Sequence, residues 1–196
     1  PQDNSIYINN GSTNTARNLY STLAHEGYPG HMYQTLYFNK HNTCNLRKLL
    51  SFSSYSEGWA TYVESLSYGY GADYLKLDDS LMELLWLNRS VSLCLYSLLD
   101  IGIHDHGWDL GTVTKTLNSF GIASQDTCGE IYQYIVENPG NYLKYYLGYL
   151  NFIDLKKEAQ TAAGKSFQLK EFHQYILELG PAQFPVLKKY LLMEYK

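Results

Sequence analysis

Charge is scarce in this chain of 196 residues, where Asp, Glu, Lys and Arg supply only 17% of the side chains. An ordinary globular protein has about 25%. Its 15 Lys plus Arg are scattered among 19 Asp plus Glu, for a net charge of −4. No basic run exists to follow a phosphate backbone, which argues against a nucleic-acid partner. Cysteine is scarce too: Cys44, Cys94 and Cys128 are odd in number and widely spaced, so neither a disulfide framework nor a CxxC metal or redox site is indicated. The chain has no GxGxxG or GxxxxGK[ST] phosphate loop and no GxSxG nucleophile elbow, which removes the usual nucleotide-binding and serine-hydrolase readings. Its most apolar stretch, Leu84 to Ile103, is interrupted by Asn88, Arg89 and Asp100. It therefore reads as a buried helix, and no transmembrane segment is expected. The opening at Pro1 has neither a basic nor an apolar leader-like region, so any export signal lies outside this sequence and the chain reads as part of a longer or processed protein.

What is abundant is apolar and aromatic. Hydrophobic residues make up 45% of the chain, and 20 of the residues are tyrosine. Disorder is excluded, and a sizeable core is affordable. The β-branched and aromatic Ser5-Ile6-Tyr7-Ile8-Asn9 reads as one short N-terminal strand, stopped by Asn10-Gly11. The rest reads as helices. Asn10-Gly11-Ser12 offers caps for a helix from Thr13 to His25, Met32 to Phe38 resumes a helical pattern, and Asn42 to Asn45 is a loop. Ser56 to Tyr68 forms a helix stopped by Gly69 and Gly71, and a long apolar helix runs from Leu75 to His104. Helices capped by Asp109 and Ser124 follow, then Tyr142 to Ala163, Leu169 to Leu179 and Val186 to Met193. The expected architecture is a mainly α, multi-helix single domain over residues 1–196, with about eight helices and one short strand.

The chemistry concentrates in His25-Glu26-Gly27-Tyr28-Pro29-Gly30-His31, with two imidazoles and a carboxylate in seven residues. Neutral imidazole is the commonest zinc ligand. In the HExxH signature the two histidines share a helical face at i and i+4. Here they are six apart, and a regular helix turning about 100° per residue would aim them at different faces. The pair can meet only if the helix breaks between them, and Gly27, Pro29 and Gly30 suit such a break. The plainer reading is a helix stop with two locally hydrogen-bonded histidines.

A catalytic zinc generally takes three protein ligands. Glu57 is the candidate third ligand; Glu64, seven residues on, shares its helical face and could orient a ligand histidine from behind. A carboxylate at a helix start can also simply complement the helix dipole. Two acidic residues at this spacing on an otherwise apolar segment (Trp59, Ala60, Val63) are costly to bury without partners.

The two segments His25 to His31 and Glu57-Gly58-Trp59-Ala60-Thr61-Tyr62-Val63-Glu64 resemble the bacterial family known as domain of unknown function 885, which is grouped with the gluzincin-like zinc metallopeptidases. The likeness continues through Asp100-Ile101-Gly102-Ile103-His104, Asn138-Pro139-Gly140, Tyr145-Tyr146-Leu147-Gly148 and Phe172-His173, over essentially the whole chain. Tyr96 stands where such sequences often carry arginine, and Asn141 where glutamine is frequent. The resemblance implies a C-terminal catalytic region, with His25, His31 and Glu57 as zinc ligands and Glu26 as general base. It also implies an N-terminal region of the same protein packed against this one, and a peptide or protein substrate.

Tyr145 is the first candidate to stabilise the developing oxyanion and His104 the second. Asp100 precedes His104 by one turn and could pair with it, although a histidine at a helix C-terminus is also favoured by the dipole alone. A surface poor in Lys and Glu suits an extracytoplasmic or cell-envelope location. The competing expectation is a catalytically silent helical module that binds peptides or a partner with the same fold.

Overall fold

The computed structural model describes residues 5–9 and 15–195. Among them lie ten α-helices: α1 (Ala16–Glu26), α2 (His31–His41), α3 (Asn45–Leu49), α4 (Ser53–Leu75), α5 (Asp79–His104), α6 (Leu110–Ser119), α7 (Gln125–Glu137), α8 (Leu143–Ala163), α9 (Leu169–Leu179) and α10 (Phe184–Glu194). Several begin where the sequence offers a cap: the side chains of Asp78, Asp109 and Ser124 accept from the backbone N–H groups of Leu81, Thr112 and Thr127. The caps expected at Asn10 to Ser12, and the helix start at Thr13, lie outside the described residues. The N-cap of α1 is Thr15, whose hydroxyl accepts from the Asn18 N–H at 3.1 Å.

The short strand expected at Ser5 to Asn9 does not form; these residues are exposed and irregular. A strand needs a second edge to share its hydrogen bonds with, and the described residues contain no strand. A second difference is in α4, which runs through Gly69 and Gly71 to Leu75 rather than stopping at Tyr68. The space explains Gly71: a Cβ there would lie 2.7 Å from the Tyr20 ring and 2.9 Å from Met82 Cε. Lys76, in the left-handed region at φ 54°, ends the helix instead.

The core forms around α4. Its Tyr55, Trp59 and Tyr62 are at most 1% exposed and pack with Phe152 of α8, Phe172 and Ile176 of α9, and Leu187 and Leu191 of α10. Each such buried side chain contributes about 1.5–3 kcal/mol by leaving water. A second cluster joins Leu95 and Leu99 of α5 to Val113 and Leu117 of α6 and Cys128 and Ile135 of α7. Between them, α4 and α5 share Tyr68, Ala72 and Met82. By length and composition α5 could cross a membrane; it is not the buried helix expected, since Met82, Leu93, Leu95, Leu99 and Asp100 are buried on one side while Leu84, Leu87, Val91 and Leu98 are exposed on the other.

The crossing of α4 and α8 positions the site. Gly58 and Gly148 meet there backbone to backbone: a Cβ on Gly58 would lie 2.5 Å from the carbonyl carbon of Gly148, and one on Gly148 would lie 2.4 Å from the carbonyl oxygen of Ser54. Only glycine at both positions permits this approach.

Candidate metal centre

The break between the histidines is where the sequence places it. His25 sits in the last turn of α1, the Gly27 N–H caps that helix on the Leu23 carbonyl, and His31 opens α2. Gly30 turns so tightly that a Cβ would fall 1.7 Å from the His25 carbonyl oxygen. Trp59 of α4 fixes the connecting loop by donating its indole N–H to the Pro29 carbonyl at 3.1 Å. The two imidazoles stand edge to face, with centroids 4.9 Å apart and planes at 87°.

Glu57, in the first turns of α4, brings one carboxylate oxygen to both rings. Its Oε2 lies 3.5 Å from His25 Nε2 and 3.2 Å from His31 Nε2. His25, Glu26 and His31 also each offer a ligand atom within 4.8 Å of the others. Two turns along α4, Glu64 Oε2 lies 3.0 Å from His25 Nδ1. The imidazole is thus held between two carboxylates of one helix face, one at each nitrogen. Glu64 is only 3% exposed, and Arg89 of α5 answers its other oxygen at 3.2 Å.

The charges reflect this geometry. Burial disfavours charge on His25, but its hydrogen bonds to Glu57 and Glu64 outweigh burial and lift its pKa to about 9. Burial raises the Glu57 carboxyl, yet hydrogen bonds from His25 and His31 hold it well below the usual carboxylate range.

The donor set fits zinc. Ligands about 2.0–2.1 Å from a tetrahedral ion stand about 3.3 Å from one another, and the two Nε2–Oε2 separations here are 3.2 and 3.5 Å. Glu64 fixes the proton of His25 on Nδ1, which leaves the Nε2 lone pair for a metal, in the manner of a carboxylate–histidine–zinc relay.

Tyr145, in the first turn of α8, comes to the same place: its ring centroid lies 6.3 Å from that of His25. Burial, with the Glu57 carboxylate beside it, pushes its phenol up to about 12. His104 does not join them. Its Nδ1 donates to Asp100 at 2.9 Å, and it is absent from the lining of the cleft that holds His25, Glu26 and Tyr145. Asp100 acts instead on the backbone before α8, accepting from the Gly140 N–H at 2.9 Å and the Tyr142 N–H at 3.3 Å. Lys144 also joins the site, its Nζ 3.7 Å from Glu57 Oε1 and 5.1 Å from the Tyr145 ring centroid; in the sequence only its place beside Tyr145 points to it, and nothing there pairs Arg89 with Glu64.

The cleft, of about 700 Å³, is lined mostly by polar groups. A larger hollow of about 980 Å³ lies beyond α1, among Leu19, Leu23, Tyr33, Tyr37, Trp59 and Leu177, and contains neither ligand histidine.

Residues 3–191 match the family described as "Bacterial protein of unknown function (DUF885)". Two solved structures share the fold. One, described as a "putative lipoprotein" from Colwellia psychrerythraea, is 26% identical with a TM-score of 0.73, the match covering 89% of this chain and 30% of that one. The other, a "putative lipoprotein of unknown function" from Shewanella oneidensis, is 23% identical with a TM-score of 0.77, covering 91% and 32%. The chain thus spans about a third of the length of each. No curated protein matches it.

Proposed function

The chain belongs to this bacterial family of unknown function, and from that premise we propose that it is the catalytic region of a zinc-dependent peptidase of the gluzincin-like kind. The observation that carries the reading is the convergence of His25 Nε2, His31 Nε2 and one oxygen of Glu57 at separations that suit ligands around a tetrahedral ion.

When bound, zinc supplies a Lewis acid that lowers the pKa of a coordinated water toward about 7 and polarises the substrate carbonyl. The remaining steps fall to side chains. Glu26, exposed in the cleft beside the ligands, takes the proton of the attacking water and returns it to the leaving amine as the C–N bond breaks. The Tyr145 phenol, its pKa pushed up to about 12, keeps its proton at neutral pH and can donate it as a hydrogen bond to the developing oxyanion. Glu64 holds the orientation of His25, and Arg89 balances the buried carboxylate. Asp100 supports the turn that leads into α8 and Tyr145, and in this reading His104 serves as its partner rather than as the oxyanion donor.

The substrate class is a peptide or protein. An extracytoplasmic or envelope location is supported by the lipoprotein description of both structural relatives. Their greater length supports a further region of the same polypeptide packing against this one.

Elemental analysis is the test. About one zinc per chain is expected, lost in His25→Ala and in Glu57→Ala. Glu26→Gln should retain the metal while peptide hydrolysis falls by about 10²–10⁴-fold, the range for a general base. A protein that binds no metal when zinc is supplied would overturn the reading and leave a silent helical binding module.

A further inference from the structure

The cleft contains more positive charge than the proposed reaction uses. Arg17, Ser21 and His25 follow one another at four-residue steps along α1, so they share a face. All three line the cavity that also holds Glu26, Tyr68 and Arg89. The Arg17 guanidinium has no ion-pair partner among the described residues. Arg89 commits its Nε to Glu64, but its side chain is 41% exposed, and its terminal nitrogens remain available to the cleft.

Their effects meet at Tyr68 of the same cavity. Burial raises the Tyr68 phenol, Glu64 adds to the effect, and the Ser21 hydroxyl, Arg89 and Arg17 all pull the other way. All four side chains line the same cavity. The donors of Arg17, Ser21 and Tyr68 thus face one cavity. Glu64 is tied to His25 and Arg89 and Glu26 lies beside His25 and His31 at the other end of the cavity, so Arg17 is the cation of this lining that no carboxylate answers.

The geometry points to an anion subsite in which Arg17, with Arg89, Tyr68 and Ser21, receives a carboxylate of the peptide substrate at a distance from the bond that is cut. Guanidinium groups suit this ligand because they bind carboxylates through two parallel hydrogen bonds. Arg89 lies on the near side, joined to His25 through Glu64, and Arg17 marks the far end: eight residues of α1 separate its backbone from that of His25, about 12 Å at 1.5 Å per residue. An extended peptide spans that in three to four residues at about 3.3–3.6 Å each. The subsite therefore selects peptides with an acidic side chain, or a free C-terminal carboxylate, three to four residues from the scissile bond. The word substrate rests on the peptidase reading; recognition of the carboxylate does not.

Binding and cleavage are measured separately. Peptides of equal length carry Glu or Gln at that distance from the central bond, each with a free acid or an amide at the C-terminus. Their affinities for zinc-supplied Glu26→Gln protein are read by fluorescence anisotropy, and their kcat and KM with the unmodified chain. We expect about tenfold tighter binding of the carboxylate peptides at low salt, with the gain shrinking near 0.5 M salt as exposed charges are screened. The same preference should appear in KM and not in kcat. Introducing Arg17→Gln should make the peptides equal, and Arg17→Lys should restore part of the preference. Comparing the Glu and acid-terminus arms shows which carboxylate the site takes. Equal affinities with the parent Arg17, or a preference that survives Arg17→Gln, would overturn the subsite even if every peptide is cut. A preference removed by Arg17→Gln without any cleavage would support the subsite and count against the peptidase reading.

Discussion

Asp100 is 1% exposed, yet three donors reach its carboxylate: the His104 imidazole and the backbone N–H groups of Gly140 and Tyr142. Replacing it with Ala would strand two half-buried backbone donors. Each lost hydrogen bond to a charged group costs about 1.5–3 kcal/mol. Asp100→Ala should therefore lower unfolding stability by about 3–5 kcal/mol in urea titration, and Asp100→Asn by less. His173 gives a prediction in pH. Burial, helped by nearby Lys156, depresses its pKa to about 4 from an ordinary 6.5, and its Nε2 accepts from the Tyr62 hydroxyl at 2.8 Å. The unfolded chain then binds the proton more readily than the folded one. Stability due to this group is complete above about pH 6.5 and is lost as pH falls through the window toward 4. Denaturation curves between pH 7 and 4 should show a shallower decline for His173→Gln than for the parent chain. At this scale the sequence was informative where spacing is local: six residues with a break placed His25 beside His31, and seven placed Glu57 and Glu64 at the two nitrogens of one ring. Arg89 and Lys144 arrive from distant helices, so no local periodicity could assign their partners.

Among the elements, the α4–α8 crossing is the least tolerant of change. A methyl group at Gly148 has backbone on the other side and no flexible side chain to displace. Overpacking typically costs about 1–3 kcal/mol, and a backbone clash belongs at the upper end or beyond. Gly148→Ala should thus destabilise by about 3 kcal/mol or more. It should also weaken zinc binding, because Glu57 adjoins Gly58 and Tyr145 lies one turn before Gly148; calorimetric titration of zinc checks this. Most helices were legible because their caps and apolar stripes are local properties. The extension of α4 past Gly69 and Gly71 was not, since the packing of Tyr20 and Met82 against Gly71 overrides the glycine's weak helix preference. Nor was the absence of a strand at Ser5 to Asn9, because a strand depends on a partner that a single segment cannot reveal.

For the whole molecule, the proposed ion, held by α1, α2 and α4, would bind the folded state alone and add to its stability. At free zinc a thousand times the dissociation constant, the gain is about 4 kcal/mol. For a chain of this size that is a rise in melting temperature of about 10 °C. Scanning calorimetry with zinc, and then with excess chelator, should show the difference, and His25→Ala should abolish it. The break at Gly27 to Gly30 has a wider consequence. Because the imidazoles ride on separate helices, their separation belongs to neither one and follows how each is seated. The seat of α2 is the tight fit of the Phe38 ring against Gly180 at the end of α9, where a Cβ would fall 2.1 Å from the ring. A metal centre at this site would therefore work as a strain gauge for the bundle: a small shift of α2 on α9, far from His25, His31 and Glu57, would be recorded as a change in affinity for the ion.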